Sequence, residues 1–282
     1  MNEIKSYPLI IGGKKVFTDE TGPVYDKFSG AHYATISIAG EKEANDAVTA
    51  ARTAFESTYF DVLTRYNVLS KAARLMAERA DELAGVLIRE TGKIVQDAKN
   101  EVAWSVDLLT ESAEEAKRII GETVCFPVPG LDTKTCYTRR EPVGIVAAIT
   151  PFNFPLNLVA HKVAPALAAG NAVILKPARA TSVIAYKFCE ILMDAGVPDG
   201  FISYLSGSGS VIGDYLTANQ DINFYSFTGS VPVGKNIKER IGLRKCALEL
   251  GSNSATMPEM RMKTRSGRFA PLSSRMWTIS CS

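Results

Sequence analysis

Glycine, amide and charged residues stand at or just beyond the ends of several apolar runs of the sequence. They are Asn153, Lys176, Gly209, the Gly229-Ser230 pair and Glu249. Apolar runs of about five residues are typical of strands that are buried on both faces of a parallel sheet. Ligands of such sheets bind in the crevice outside the carboxyl ends of the strands. The spacing therefore predicts a ligand site at the carboxyl edge of a parallel sheet, with these residues around it.

Each residue of this set also has a purely structural interpretation. Asn153 lies between two prolines, where an asparagine commonly forms an Asx turn or caps a helix. Lys176 is equally explained as a charge that ends a buried strand, and Glu249 as a rim carboxylate paired with Lys245 or Arg244. Because single residues leave these alternatives open, the prediction depends on the elements that bring the set together.

Residues 144–177 contain the elements that position Asn153 and Lys176. The apolar run 145–149 predicts a buried strand, residues 156–168 carry apolar side chains at helical spacing, and residues 172–175 predict a second buried strand. A strand, a helix and a strand of these lengths form a unit with parallel strands and a right-handed crossover. Both polar residues then lie at the same edge of the sheet.

The rest of the chain continues this alternation. Helical spacing predicts helices over 41–56, 62–90 and 94–120 in the first half. In the second half, strands at 201–205, 222–227 and 245–250 alternate with helices at 182–195, 211–216 and 233–241. Thr181 and Ser182 are the expected caps of the first of these helices. A hairpin is expected at 7–17, and residues 124–140 form a protruding hairpin that either pairs with another subunit or is a simple surface feature. The predicted fold class is α/β, a doubly wound parallel sheet with N-terminal helices and a protruding β-hairpin.

Composition narrows the class of protein. The 282 residues are 46% hydrophobic and 22% charged, as in an ordinary globular protein, and the net charge is +2. This balance predicts neither a nucleic-acid partner nor a membrane partner, and we find no secretory signal and no apolar run of the ~20 residues that span a bilayer. Five cysteines without CxxC spacing and two histidines predict neither a metal site nor a disulfide framework. A reducing, cytoplasmic location is expected.

Residues 229–236 nearly match a phosphate-binding P-loop. The segment Gly-Ser-Val-Pro-Val-Gly-Lys-Asn follows a predicted strand, as such a loop does. However, Asn236 replaces the hydroxyl that binds magnesium, and Pro232 lacks a backbone N–H that the loop would use. The segment therefore does not predict a nucleoside triphosphatase.

Three motifs in a fixed order are far more specific than any single residue. TPFNFPLNLVAHKVAPALAAGNAVILKPA, FTGSVPVGK and LELGSNSA together resemble the NAD(P)-dependent aldehyde dehydrogenase family over residues 1–255. The chain looks most similar to the branch that acts on small hydroxylated or phosphorylated aldehydes. The resemblance implies a Rossmann-type coenzyme-binding domain formed by residues 1–123 and 142–255, an oligomerisation hairpin at 124–141, and a homo-oligomeric parent enzyme. The catalytic domain of the family would begin after about residue 255.

The resemblance also implies catalytic and substrate-binding roles. In the family a cysteine thiolate attacks a small aldehyde, and Asn153 matches the residue whose side-chain amide stabilises the resulting oxyanion. Glu249 matches the general base that activates water to hydrolyse the thioester. Asn157, His161 and Lys162 match the helix face that lines the substrate tunnel, where polar groups suit a small polar aldehyde. A solvated helix face explains these three residues equally well.

The coenzyme implied by the resemblance is NADP or NAD. Its expected contacts are Thr150, Pro151, Phe152, Lys176, Arg179, Gly209, Gly229, Ser230 and Leu250. Lys176 matches the lysine that binds the adenosine ribose, and Gly209 matches a glycine beside the adenine. Gly229 and Ser230 match the turn at a helix N-terminus that receives the pyrophosphate.

Arg179 is a first departure from the family pattern. Many relatives have a glutamate here, which binds the free ribose 2′-hydroxyl and repels a 2′-phosphate, whereas an arginine attracts that phosphate. We therefore expect NADP to be accepted at least as well as NAD. The alternative is that Arg179 points to solvent.

The second departure concerns the nucleophile. The family's cysteine stands in a Gly-Gln-x-Cys context beyond Glu249, and this sequence has no such segment. Cys281 has nearly the right separation, but its context does not match. Residues 256–282 hold five basic residues, one acidic residue and no apolar periodicity, which is typical of a shifted reading frame; disorder or an RNA-binding arm are weaker interpretations. We expect an oxidoreductase chain without its catalytic domain and with little or no activity, and the alternative is a coenzyme-binding module or fragment without turnover.

Overall fold

A computed structural model describes residues 4–125, 127–130 and 133–251 of the chain. Its strands, in chain order, are β1 (Lys5–Tyr7), β2 (Leu9–Ile11), β3 (Lys14–Val16), β4 (Thr21–Tyr25), β5 (His32–Ser37), β6 (Thr123–Val124), β7 (Cys136–Tyr137), β8 (Ile145–Ile149), β9 (Ala172–Lys176), β10 (Ile202–Tyr204), β11 (Ile222–Gly229) and β12 (Lys245–Leu250). Its helices are α1 (Glu41–Ser57), α2 (Val62–Glu78), α3 (Ala80–Thr91), α4 (Val95–Ala116), α5 (Asn157–Ala168), α6 (Ser182–Ala195), α7 (Gly209–Ala218) and α8 (Val231–Ile241), with a short 3₁₀ turn at Arg179–Thr181. These elements belong to one compact unit that ends at Leu250.

A seven-stranded sheet forms the centre of this unit. Its order is β12-β11-β8-β9-β10-β2-β3, and β8 to β12 are parallel to one another. The chain first runs outward through β8, β9 and β10 and then returns to the other side of β8 with β11 and β12. The predicted doubly wound parallel sheet is confirmed, and its switch point lies between β8 and β11.

Helices cover both faces of the sheet. Helices α1, α7 and α8 pack in one layer, and helices α2 to α6 pack together in a second. Strands β9 and β10 are fully buried between the two layers, which explains their continuous apolar sequence. None of the helices in the described residues is both long and apolar enough to span a membrane.

The helical first half departs from the prediction at one point. The continuous helix predicted over 62–90 is wrong, because the chain breaks at Arg79 into α2 and α3. Arg79 has φ −101° and ψ 18°, and its side chain pairs with Asp194 on α6 at 2.6 Å. The break lets α2 pack against α4 and α5 while α3 turns toward β4 and the 3₁₀ turn. Apolar spacing continues across the break, so the sequence pattern did not show it.

A small second sheet was not predicted. Strands β1, β5 and β4 pair in that order and pack Val24, Ala34 and Ile36 into a minor core with Val183 of α6. Strand β4 contains a glycine and a proline, which normally argue against a strand. The proline is tolerated because β4 is the edge strand of this sheet.

Both expected hairpins have antiparallel strands. Strands β2 and β3 join through Gly12 and Gly13, whose φ values of 59° and 77° are those of a tight hairpin turn. Strands β6 and β7 pair within the second hairpin, although residues 126 and 131–132 near its tip lie outside the described residues. That the second hairpin joins subunits remains a prediction.

The N-terminus of α6 is not capped as predicted. The Thr181 hydroxyl donates to the Ala178 carbonyl and the Ser182 hydroxyl donates to the Arg179 carbonyl, so neither accepts from the first turn of the helix. Instead the buried Glu90 carboxylate of α3 accepts from the backbone N–H groups of residues 183 and 184, at 2.8 and 2.9 Å. A carboxylate from a distant helix thus replaces the local cap.

Candidate functional site

Four parallel strands end side by side at one edge of the large sheet. Leu248, Phe227, Ile149 and Lys176 are neighbours in register across β12, β11, β8 and β9. The next residues of each strand therefore lie at the same edge, which we call the carboxyl edge. It includes the switch point between β8 and β11, where open α/β sheets bind ligands.

The loop after β8 carries Asn153 to the carboxyl edge. The backbone N–H of Thr150 donates to the Lys176 carbonyl at 3.2 Å, so the loop starts beside β9. Pro151 is half-buried, whereas Phe152 and Asn153 are exposed. Helix α5 begins after Leu156 and has no local side-chain cap, so Asn153 does not cap this helix, which was one of its two structural interpretations.

Lys176 is a buried cation at the carboxyl edge. Lys176 is only 5% exposed, and none of the ion pairs in the described residues involves it. Burial lowers the pKa of Lys176 to about 8. The Nζ atom lies 3.5 Å from the position that a Cβ on Gly209 would take, so the glycine at the start of α7 leaves the ammonium group open.

The turn after β11 leads directly into a helix. Ser230 occupies the N-cap position of α8 without a side-chain cap, so the first turn of the helix presents the N–H groups of Val231 and Val233 at the carboxyl edge, while Pro232 between them has none. The Gly234 N–H already donates to the Ser230 carbonyl at 3.0 Å, which makes residues 231–235 a helical turn and not a phosphate-binding loop. A Cβ on Gly234 would lie 2.5 Å from Leu250, so this glycine lets β12 end close against α8. Gly229 is paired with Leu250 in the sheet.

Glu249 lies on β12 beside Thr228 of β11. The proposed pairing with Arg244 is wrong, because Arg244 precedes the opposite end of β12 and donates to backbone carbonyls and to Tyr225. Lys245 is the first residue of that strand, four residues from Glu249, and none of the ion pairs in the described residues joins the two. The charge of Glu249 acts instead on Lys162.

The three residues expected at the substrate helix face do not share one environment. Lys162 is only 7% exposed, and its Nζ donates to the Ser226 hydroxyl at 3.2 Å. Burial lowers the pKa of Lys162, and the nearby Glu249 opposes this shift. His161 is exposed, and Asn157 is half-buried with its side-chain oxygen 3.5 Å from the Ser105 hydroxyl. The Lys162 side chain therefore points toward the sheet, whereas the neighbouring His161 is exposed on a different side of α5.

Comparison with known proteins decides what this arrangement is. The sequence matches the model described as "Aldehyde dehydrogenase family" over residues 16–258. This chain belongs to the aldehyde dehydrogenase family.

Individual relatives agree with that assignment. The chain is 46% identical to the 3-sulfolactaldehyde dehydrogenase of Priestia megaterium over 260 residues, which are 91% of this chain and 54% of the relative. It is 34% identical to the NADP-dependent glyceraldehyde-3-phosphate dehydrogenase of Streptococcus equinus, over 90% of this chain and 54% of the relative. The chain thus spans about half the length of the curated relatives it matches.

Solved structures confirm the fold of the aldehyde dehydrogenase chain. The NADP-dependent glyceraldehyde-3-phosphate dehydrogenase of Bacillus halodurans, complexed with NADP, superposes with a TM-score of 0.83 at 35% identity, over 87% of this chain and 53% of the other. The NAD-dependent aldehyde dehydrogenase of Sinorhizobium meliloti gives a TM-score of 0.84 at 31% identity, over 88% and 51%. Both the predicted family and the predicted fold class are confirmed.

The carboxyl edge of this aldehyde dehydrogenase chain has the properties of a site for a polar, anionic ligand. The hydroxyls of Thr150 and Thr228 are buried at the switch point without a hydrogen-bond partner in the described residues. Lys176 adds a buried positive charge at the same edge, but it is in register with Ile149 and Phe227 and so lies on the other face of the sheet from the two threonines. Because buried polar groups are normally satisfied, the threonine hydroxyls on one face and Lys176 on the other each fit a ligand that carries hydroxyl or phosphate oxygens at this edge.

Arg179 lies in the 3₁₀ turn that follows β9. Its residue is exposed, and its guanidinium sits against β4, where a Cβ on Gly22 would lie 2.8 Å from Nη2. The Arg179 side chain therefore lies along the small sheet, close to the carboxyl edge. The residue is exposed, as the solvent alternative requires, but its guanidinium packs against β4 and does not extend freely into water.

The sequence analysis did not identify two buried glutamates that bind the N-termini of the helices next to this edge. Glu90 and Glu101 are buried carboxylates, and each accepts from the first N–H groups of a helix that follows the carboxyl edge. Glu101 stands at apolar spacing with Ala98 and Val102, as Glu90 does with Leu87. A carboxylate on the apolar stripe of a helix was the available signal.

Proposed function

We propose that this chain is the coenzyme-binding part of an NAD(P)-dependent aldehyde dehydrogenase that oxidises a small polar aldehyde to a carboxylic acid. The observation that carries the proposal is the convergence of Asn153, Lys176, Ser230 and Glu249 at one edge of one sheet. Membership of the family supports the reaction class, and the NADP complex named for the Bacillus halodurans relative supports the coenzyme.

Different residues of the carboxyl edge would contact different parts of the coenzyme. Lys176 would hold the adenosine ribose, and Gly209 leaves room beside it. The N-terminus of α8, preceded by Gly229 and Ser230, would receive the pyrophosphate, since its N–H groups and helix dipole favour a negative charge. The bound coenzyme supplies the hydride acceptor for the oxidation.

Two further groups would act on the aldehyde. The Asn153 amide is exposed at the edge and donates a hydrogen bond to a developing oxyanion without transferring a proton. Glu249 is exposed, so it can exchange protons with water as a general base. Asn157 and His161 at the start of α5 supply polar contacts for a hydroxylated, sulfonated or phosphorylated aldehyde, the substrate classes named for the relatives.

None of the four described cysteines is placed to act as the nucleophile. Cys189 is buried in the core, where burial raises its pKa far above the usual range. Cys246 lies at the amino end of β12, opposite Tyr225, and Cys125 and Cys136 belong to the β6–β7 hairpin. Cys281 lies outside the described residues. We therefore infer that this chain binds coenzyme and turns over little or no aldehyde.

Arg179 bears on the choice of coenzyme. It stands one turn beyond Lys176 and carries a positive charge where a glutamate would repel a 2′-phosphate. We infer that NADP binds at least as tightly as NAD.

Calorimetric titration of the full chain with NADP and with NAD tests this proposal. We expect saturable binding of NADP with a dissociation constant no higher than that of NAD, and Arg179→Glu should reverse the order. Failure to bind either nucleotide would refute the coenzyme assignment, and a strong preference for NAD would refute the role of Arg179.

A turnover assay separates the two functional alternatives. With lactaldehyde and NADP, a binding module without turnover produces no rise in NADPH absorbance. Robust production of NADPH that disappears in Cys281→Ala would show that the chain is an active enzyme.

A further inference from the structure

The carboxylate of Glu101 lies buried behind the loop that carries Asn153. Glu101 is 0% exposed, and its Oε1 accepts from the backbone N–H groups of Leu156 and Asn157 at 2.9 and 3.1 Å. Its Oε2 pairs with the ammonium group of Lys93. The carboxylate thus joins the loop end, the first turn of α5 and the segment between α3 and α4.

Contacts to the ring of Phe154 hold the loop of residues 150–156 at a second point. The Nζ atom of Lys93 lies 3.9 Å from the ring centroid of Phe154, a cation–π distance. The Trp104 ring on α4 lies 6.4 Å from Phe154, with the planes tilted by 47°. Phe154 follows Asn153 directly, so holding the Phe154 ring restricts the backbone from which the Asn153 amide projects.

A local cap could not replace this carboxylate. Leu156 is the N-cap residue of α5, and a side chain there accepts from the second or third N–H of the helix, whereas Glu101 accepts from the N–H groups of Leu156 and Asn157 themselves. A buried carboxylate from another helix needs a partner and is strongly destabilising when that partner is lost. What it adds is a fixed distance between α4 and the loop.

We propose that Glu101, together with Lys93, is a positioning residue that fixes Asn153 and residues 150–152 at the carboxyl edge. It touches neither substrate nor coenzyme and acts through the 150–156 loop. The assignment rests on the proposed function, because the loop matters to catalysis only if the coenzyme binds at this edge.

Glu90 provides a matched comparison. It is also a buried carboxylate that accepts from two helix N–H groups, but it does so at α6, behind the Lys176 and Arg179 end of the edge. If each glutamate serves its own loop, substitutions at the two positions will affect different segments.

Hydrogen exchange of the ligand-free full chain tests the anchoring. In Glu101→Leu, which keeps the volume and removes the acceptor, amides of residues 150–158 should exchange at least about tenfold faster than in the wild type. Glu101→Gln, which retains one acceptor oxygen, should restore part of the protection. Glu90→Leu should leave residues 150–158 unchanged and speed exchange at residues 182–186. Unchanged exchange at 150–158 in Glu101→Leu, or equal acceleration in both leucine variants, would overturn the proposal.

Ligand binding then shows whether the anchor serves the site. The dissociation constant for NADP should rise about tenfold in Glu101→Leu, while that for 2′,5′-ADP, which lacks the nicotinamide half, should not change. A parallel loss of both affinities would mean a general structural role and would overturn the assignment. If Glu101→Leu does not fold, Lys93→Met replaces it, because this variant removes both the ion pair with Glu101 and the cation–π contact with Phe154. It should likewise speed exchange at residues 150–158 and weaken the binding of NADP but not of 2′,5′-ADP. A wild-type chain that binds neither nucleotide while the exchange difference persists would refute the proposed function and leave the anchor intact.

Discussion

We propose that coenzyme binding depends more strongly on Lys176 than on any other residue of the carboxyl edge. It is a buried ammonium group that forms none of the ion pairs of the described residues, and it lies within van der Waals distance of the space left by Gly209. Folding therefore keeps an unneutralised charge at the carboxyl edge at a cost in stability. A ligand that brings hydroxyl or phosphate oxygens to this charge recovers that cost on binding.

Coenzyme affinity should fall as the pH rises through the pKa of Lys176. Burial lowers this pKa to about 8, so the free protein loses the positive charge above that pH, and binding must then take up a proton. We expect the dissociation constant of NADP to increase by up to roughly tenfold per pH unit above 8. Lys176→Arg, which stays charged, should remove this pH dependence, and Lys176→Met should weaken binding by about 10- to 100-fold at pH 7.

The control for this series is Lys71→Met on the exposed surface of α2, which should bind NADP like the wild type. A wild-type affinity that is the same at pH 7 and pH 9.5, or that survives Lys176→Met, would contradict the assignment.

At the residue scale, the sequence predicted which residues stand at the carboxyl edge but not which groups support them. Asn153, Lys176 and Glu249 were visible because each follows an apolar run. Glu101 was not, because its partners on α5 are 55 residues away in the chain and no local pattern connects them. The buried position of Lys162 was also missed, since one helix turn does not show which side faces the sheet.

The helices α5 and α6 are elements whose N-termini are completed by another part of the chain. Glu90 and Glu101 come from α3 and α4, so these two helices hold the starts of α5 and α6 as well as covering them. Two of the βα units, those containing α5 and α6, therefore depend on the helical first half for the hydrogen bonds at their helix N-termini. We expect the two halves of the described unit to unfold together.

Glu90 should make the stability of the protein depend on pH. Burial raises the pKa of Glu90 to about 8, although the two N–H groups of α6 oppose the shift. The folded state therefore holds a proton that the unfolded state releases above its ordinary pKa, so stability falls as the pH rises from about 4.5 to 8. Glu90→Gln has no titrating proton at this position. The difference between its free energy of unfolding and that of the wild type should therefore increase by up to about 1.4 kcal/mol for each pH unit in that window.

Urea unfolding of the wild type and Glu90→Gln at pH 5, 6.5 and 8 measures this difference, with Glu78→Gln on the exposed end of α2 as the control. A difference between wild type and Glu90→Gln that is constant across the three pH values would show that Glu90 does not titrate in this range.

Element boundaries were predictable where one pattern decides them and failed where two packing directions compete. The strands and helices of the βα units follow from apolar runs and terminating glycines, such as Gly196 after α6. The break at Arg79 and the strands of the small sheet depend on tertiary contacts, which override local propensity.

The β6–β7 hairpin is the feature through which we propose that the whole molecule assembles with copies of itself. Its described apolar residues other than the half-buried Cys136 are exposed, and Tyr137 is 74% exposed. Two short strands with unpaired edges and exposed apolar side chains are a ready surface for pairing with another chain.

Association of the chain should depend on this hairpin. Light scattering after size exclusion should give a mass above the 30.5 kDa of one chain, and Tyr137→Lys should shift it toward one chain, because a charge must then be buried in the contact. Tyr59→Lys, at a residue that is 84% exposed outside the hairpin, should have no effect. A wild-type mass of one chain, or a mass that Tyr137→Lys does not change, would contradict this proposal.

Hydrogen exchange with and without saturating NADP shows where the coenzyme binds on the whole molecule. We expect NADP to slow exchange at the carboxyl edge, in residues 150–153, 176–180, 207–211 and 228–235. Slower exchange at the opposite edge of the sheet, around Pro142 and Gly170, or no change anywhere in the chain, would contradict this expectation.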